Sequence, residues 1–396
     1  MKIHAGVNGR SAAVGAGVLA IALASLTACG SDNNTSSSSG GSSSTSSAAG
    51  GSSSPASGSS SSASGATGGA INCANGTLSG QGSSAQATAI TQFIKDYQTK
   101  CGSGTNISYN GNGSGPGVTA FVQKQADWAG SDYPLNADQQ KQADQRCGGK
   151  AVSVGTIPGA IAVMYNVPGV DKLNLSASTL GKIYTGKITK WNDQAIATEN
   201  PGVSLPDLAI QAYHRSDASG TSFNFSNYLN KTAAADFPTA ANKQWPASTG
   251  QAAQGSKGVA QAVQSTAGAV GYAEVSYATS NNLKTAAIGN AQGKFVPLTI
   301  ANASNFISKA QVDTADGNYK FNFDYTYAAD DAYPAVLVTY EIVCSTGNDS
   351  AKLPVLKNFL QYTAGTGAQS QLEKLGYVAL SSDQQTKVGA IFAGLS

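Results

Sequence analysis

His214-Arg215-Ser216-Asp217-Ala218-Ser219-Gly220-Thr221-Ser222-Phe223 is the stretch on which the reading of this chain turns. It follows an apolar run, Leu208-Ala209-Ile210-Gln211-Ala212-Tyr213, whose pattern predicts a strand. After it, Phe223, Phe225, Tyr228 and Leu229 recur at near-helical spacing and predict one buried helix face. An arginine, two hydroxyls and a run of small residues thus stand where a strand hands over to a helix. A helix N-terminus there offers unpaired backbone N–H groups and the positive end of a dipole. The guanidinium adds a planar fork suited to a tetrahedral oxyanion. This is the chemistry of holding an anion. The rival reading makes Ser219 a plain N-cap and leaves Arg215 on the surface.

The same construction recurs upstream. Thr77-Leu78-Ser79 starts a short strand that runs into Gly80-Gln81-Gly82-Ser83-Ser84-Ala85, and Ile90, Phe93, Ile94 and Tyr97 then mark a helix face. A second strand, Asn106-Ile107-Ser108-Tyr109, ends in the glycine-rich stretch from Asn110 to Gly117, and Val118, Phe121 and Val122 follow at helical spacing. A third, Asp127-Trp128-Ala129-Gly130, delivers Ser131-Asp132 ahead of Pro134. In open α/β sheets ligands bind outside the carboxyl ends of the strands, where such loops converge. Gly80-x-Gly82-x-x-Ala85 also fits a loose dinucleotide fingerprint, but Tyr109-Asn110 stand where its acidic residue belongs. Asp132 before a proline has the lesser reading of a helix cap or turn.

The N-terminus sets the compartment. Lys2 and Arg10 precede an apolar Ala12–Leu26 segment, and Leu26-Thr27-Ala28-Cys29 closes it with small residues before a cysteine. This is the pattern of a bacterial lipoprotein: residues 1–28 are read as signal peptide and Cys29 as the lipidated new N-terminus, acylated by diacylglycerol and palmitate. The rival is an uncleaved membrane anchor, for which the segment is short. From Gly30 to Ala70 no aliphatic side chain exceeds alanine, so 29–70 is read as a disordered Ser/Gly-rich tether. A coil of this length has a mean span of roughly 35 Å.

Charge and cysteines narrow the rest. The chain has 24 Lys+Arg and 22 Asp+Glu, and removing Lys2 and Arg10 leaves 22 against 22. There is no basic field for nucleic acid, so an anion has to be held by local groups. Four further cysteines, Cys73, Cys101, Cys147 and Cys344, allow three pairings of two disulfides. We favour Cys73–Cys101, which brackets the first strand and the helix running back along it; Cys147–Cys344 then remains. No C-x-x-C occurs, which argues against a zinc or thioredoxin-type site.

Over nearly all of residues 76–396 the chain resembles the phosphate-binding protein of the bacterial high-affinity phosphate ABC importer. The resemblance is carried by Arg215-x-Asp217-x-Ser219-Gly220-Thr221-Ser222-Phe223, Gly113-Ser114-Gly115, Gly130-Ser131-Asp132-Tyr133-Pro134-Leu135, the Leu180–Trp191 segment, and Gly268-Ala269-Val270-Gly271-Tyr272. It implies a ligand shell of Ser84, the backbone of Ala85, Ser114, Asp132, Arg215, Ser219, Gly220 and Thr221. Where the family often has Thr-Phe-Pro, this chain has Ser84-Ala85-Gln86. In this reading Asp217 holds the guanidinium and Asp132 accepts the P–OH hydrogen, which sulfate lacks. No metal or cofactor is expected beyond inorganic phosphate as ligand.

The implied fold is α/β, two-lobed and of the type II periplasmic-binding-protein kind, with two crossing hinge segments. Residues 71–160 and 336–396 would form lobe I and residues 161–335 lobe II. Ala151–Val167, interrupted by Pro158-Gly159, would be one crossing, and Ala335–Val343 would return as a strand. Expected partners are the transmembrane permease subunits and, through the lipid anchor, the cell membrane on its extracytoplasmic face; a monomer is expected and nucleic acid is not. The alternatives are another tetrahedral oxyanion such as sulfate or arsenate, an immune-facing or adhesive role, and a secreted phosphatase. A phosphatase has little to work with: after signal cleavage His214 is the sole histidine, and no serine has the flanking glycines of a nucleophile elbow.

Overall fold

The computed structural model describes residues 71–396. The signal segment 1–28, Cys29 and the 29–70 tether lie outside the described residues. The chain opens with β1 (Gly76–Gly82), α1 (Ala87–Cys101), β2 (Thr105–Asn110), α2 (Ser114–Val122) and β3 (Trp128–Ser131). Ile90, Phe93, Ile94 and Tyr97 form the buried face of α1, and Val118 and Phe121 are buried on α2. Then come α3 (Ala137–Cys147) and the long β4 (Ala151–Asn166). The later principal elements are β5 (Gln211–Arg215), α4 (Gly220–Thr232), β6 (Gln251–Ala253), α5 (Gly255–Ser265), β7 (Ala269–Glu274), β8 (Val336–Cys344), α6 (Leu353–Ala364) and α7 (Ser382–Ala393).

The strand order is β2-β1-β3-β8-β4-β7-β5-β6, with Lys284–Thr285 pairing beside β4. β1, β2 and β3 are parallel, and so are β5, β6 and β7, while β8 and β4 run antiparallel between the two groups. Each parallel group therefore delivers its carboxyl-end loops to one place. β4 changes neighbours along its length: Ala151–Ala160 pair with β8, and Ile161–Asn166 pair with β7. The chain comes back beside that point, where the Ile161 N–H donates to Ala335 O at 2.7 Å.

Pro158 does not interrupt β4. A register shift between Thr339 and Tyr340 leaves Thr156 as an extra residue, and the strand continues with Pro158 opposite Val338. The Pro158 carbonyl accepts the Val378 N–H at 2.9 Å. The bulge and this outside partner accommodate a residue that has no N–H to offer the ladder.

The strand before the Arg215 motif starts later than its apolar run suggested, at Gln211, where the chain joins β7. On α4, Phe225, Tyr228 and Leu229 are buried, but Phe223 is only half-buried and packs instead on Tyr133, with ring centroids 3.8 Å apart. Two disulfides are formed, Cys73–Cys101 and Cys147–Cys344, the pairing favoured from the sequence. Among the described residues no helix is long and apolar enough to cross a membrane.

Candidate functional site

Five loops meet at the carboxyl ends of the parallel strands. β1 ends at Gly82 and leads into Ser83-Ser84-Ala85; Ser114 is the first residue of α2; Asp132 directly follows β3. Arg215 is the last residue of β5, and Gly220-Thr221 open α4. The fifth loop joins β6 to α5 and carries Gly255-Ser256. Ser84, Ala85, Ser114, Asp132, Arg215, Ser219, Gly220 and Thr221 are all buried, and the fold brings them together.

The two halves of the rival reading of the Arg215 motif come out differently. Ser219 is indeed the N-cap, its oxygen accepting the Ser222 N–H at 3.1 Å. That bond uses a lone pair and not the hydroxyl proton. Arg215, however, is only 2% exposed. Its Nε donates to Asp217 Oδ1 at 2.8 Å and its Nη2 pairs with Asp217 Oδ2. Gly255 N–H adds a third bond to Asp217 Oδ1 at 3.0 Å, so this carboxylate is a fixed brace and not an exposed loop residue. Nη1 donates to Ser256 Oγ at 3.2 Å. The fork is held rigid by charge-assisted bonds within a buried site.

Asp132 is the acceptor at the centre. Ser83 and Thr339 donate hydroxyls to Oδ1, the latter at 2.7 Å, whereas Thr221 and Ser114 approach Oδ2 at 3.3 and 3.5 Å. Burial pushes the Asp132 carboxyl above its ordinary range, opposed by Ser83 and Thr339 and by the charge of Arg215. Ser114 Oγ in turn accepts N–H bonds from Gly220 at 3.1 Å and Asp132 at 3.2 Å, which ties three of the loops to one oxygen.

Ser84 Oγ lies 2.9 Å from Ser256 Oγ and accepts the Ser256 N–H at 3.2 Å. The Ala85 N–H is turned to Ser83 Oγ at 3.0 Å. Sequence reasoning missed Ser83, Ser256 and Thr339. Ser83 stood beside an expected residue, and Ser256 lies at the start of the helix that follows β6, so position at a strand end was their available signal. Thr339 had none, because it sits mid-strand on β8 and meets Asp132 only through the pairing of Tyr340 with Ser131. Lys243 was also missed: its Nζ donates to Gln139 Oε1 at 3.3 Å and lies 5.5 Å above the Tyr133 ring. Burial pulls that amine down to about 8, and the Asp132 charge opposes the shift.

His214 stacks on Trp245 with centroids 5.6 Å apart, and its Nδ1 lies 2.9 Å from Arg215 O. Among the described residues no group of three or more His, Cys, Asp or Glu is placed to hold a metal ion.

Known proteins similar to this chain are phosphate-binding proteins. A family model described as a PBP superfamily domain matches residues 42–366. Phosphate-binding protein PstS 3 of Mycobacterium leprae is 38% identical over 79% of this chain and 85% of its own. Phosphate-binding protein PstS3 of Mycobacterium bovis is 36% identical over 94% of this chain and 95% of its own. Among solved structures, a high-affinity periplasmic phosphate-binding protein bound with phosphate superposes with a TM-score of 0.67 at 20% identity, over 79% of this chain and 93% of that one. The fold is thus the two-lobed type II form expected from the sequence.

Proposed function

The chain belongs to the phosphate-binding proteins of the PBP superfamily, and from that membership we propose that it binds inorganic phosphate outside the cytoplasm and delivers it to an ABC-type importer. The observation that carries the reading is a buried arginine fork and a buried carboxylate acceptor facing one cluster of hydroxyls and helix-start N–H groups. Phosphate entering such a cleft exchanges its hydration for fixed donors. In this reading Arg215, Ser84, Ser114, Ser219 and Thr221 supply side-chain donors, and the Gly220 and Ala85 N–H groups, bonded here to Ser114 Oγ and Ser83 Oγ, turn to the ligand when it enters.

Asp132 is the element of selectivity. Its Oδ1 is occupied by Ser83 and Thr339, so Oδ2, with its two longer contacts, is the oxygen that accepts the P–OH hydrogen. Sulfate has no such proton near neutral pH. A site built around one obligatory hydrogen bond rejects an analogue lacking it by about 10⁴-fold or more. Among the described residues no serine hydroxyl hydrogen-bonds to His214, whose ring stacks on Trp245 with Nδ1 at the Arg215 carbonyl, and this favours binding over catalysis.

Residues 71–160 with 336–396 form lobe I in this reading, and 161–335 form lobe II. The change of β4 partner after Ala160 and the return of the chain at Val336 support that division. Hinge closure about these crossings traps the anion. Acylated Cys29 anchors a monomer to the cell membrane, and the 29–70 tether lets it meet its permease.

Calorimetry of the full-length protein in detergent tests the reading. Phosphate should bind tightly and sulfate essentially not at all, and Asp132→Asn should narrow the gap. Equal binding of sulfate and phosphate by the wild type would sink the role given to Asp132. Rapid hydrolysis of a phosphomonoester would replace binding with catalysis.

A further inference from the structure

We propose that Ser256 is a positioning residue for the anion site, linking Arg215 to Ser84 so that the Ser84 hydroxyl proton is committed to phosphate. The inference rests on the phosphate reading above and adds to it a residue that no motif marks.

Ser256 is fully buried and Ser84 is 4% exposed. Ser256 is the second residue of the 11-residue helix α5 and lies 172 residues from Ser84 in sequence. Three contacts join the group: Arg215 Nη1 donates to Ser256 Oγ at 3.2 Å, the two Oγ atoms lie 2.9 Å apart, and the Ser256 N–H donates to Ser84 Oγ at 3.2 Å. Each hydroxyl has one proton and two acceptor sites. Two hydroxyls bring two protons, yet the single bond between them consumes one. The other has no acceptor within the group.

Among the described residues the surroundings offer that proton no acceptor. Arg215 and the Ser256 amide are donors, and Tyr277 OH already donates to the Ser84 carbonyl at 2.8 Å. Asp217 is engaged by Arg215 and Gly255, Asp132 Oδ1 is taken by Ser83 and Thr339, and Asp132 Oδ2, reserved above for the P–OH hydrogen, makes no hydrogen bond with Ser84 or Ser256. A buried donor without an acceptor is costly, and an anion oxygen beside Arg215 is the group that removes the cost. The order Arg215 to Ser256 to Ser84 fills both acceptor sites of Ser84 with bonds from Ser256. Ser84, on the loop already assigned to the ligand, is then left as pure donor. Polarisation along such a chain strengthens the terminal bond.

The relay spans the two proposed lobes, so it assembles only in the closed cleft and should act on phosphate release. The test uses the full-length protein in detergent, with inorganic phosphate as probe, by calorimetry and stopped-flow. Ser256→Ala should raise Kd about 10-fold, chiefly through faster dissociation, which is the loss of roughly one buried hydrogen bond. Ser256→Thr, which restores the hydroxyl, should recover most of the affinity. In a double-mutant cycle Ser84→Ala with Ser256→Ala should bind no worse than Ser84→Ala alone, because Ser256 acts through Ser84. Melting without phosphate checks that the variants are folded. An unchanged Kd in folded Ser256→Ala, or a Ser256→Ala loss undiminished in the Ser84→Ala background, overturns the relay. A wild type that binds no phosphate overturns the underlying reading and the relay with it.

Discussion

Glu274 and Glu341 show what burial does to single residues away from the anion. Glu274 Oε2 accepts bonds from the amide and hydroxyl of Ser276, the former at 3.0 Å, and Glu341 Oε2 accepts from Gln86 Nε2 at 3.4 Å. Neither has a cation among these partners, and burial pushes both carboxyls up to about 8. In the unfolded chain a glutamate titrates near about 4.3. Between these values the folded protein keeps protons that the unfolded chain has lost, so unfolding releases them. Stability from these groups is full below the unfolded value and is lost as pH rises through about 8. Melting temperature is therefore expected to fall from pH 5 to pH 8. Glu274→Gln and Glu341→Gln should each flatten that profile; a slope equal to wild type in both would refute the assignment.

At the scale of elements, the start of α4 depends on space as much as on donors. A Cβ added at Gly220 would stand 2.6 Å from Asp132 Cβ and 2.8 Å from the Asp132 amide. No side chain there fits without parting α4 from the loop that follows β3. Gly220→Ala should lower phosphate affinity by about 100-fold or more, the scale of losing two or more buried hydrogen bonds. Titration calorimetry beside a melting curve checks this: strong binding retained by the variant would mean the loops do not need this approach.

Legibility also divides by element. α1 and α2 were readable because Ile90, Phe93, Ile94 and Tyr97, and Val118 and Phe121, repeat at helical spacing. α3 went unread because only Ala143 and Cys147 on it are buried, and a polar helix leaves no apolar stripe. Its legible mark was the reciprocal capping box of Asn136 and Gln139. Pro158 argued for a break in β4, and only the neighbouring strand, with its bulge at Thr156, shows why there is none.

Across the whole molecule the two disulfides constrain the chain unequally. Cys147–Cys344 joins α3 to the end of β8 across 197 residues, and Cys73–Cys101 spans 28. On chain-entropy grounds the long closure contributes about 5 kcal/mol and the short one about 3.5 kcal/mol. Denaturant unfolding of Cys147→Ser/Cys344→Ser should show the larger loss relative to Cys73→Ser/Cys101→Ser. The reverse order would mean that native packing and not loop closure decides.

What the sequence determined by itself was the local chemistry at strand ends: Arg215 with Asp217, the capping Ser219, Ser114 after its glycines, and Asp132 before its proline. Those signals are short-range, because a strand end, a cap and a helix start are written in consecutive residues. The pairing of Thr339 with Asp132, of Ser256 with Ser84 and of Lys243 with Tyr133 was decided only by the tertiary structure. These contacts join residues between 110 and 207 positions apart. No periodicity or spacing records them, since they exist only once β8 lies against β3 and the loops of the two parallel groups meet.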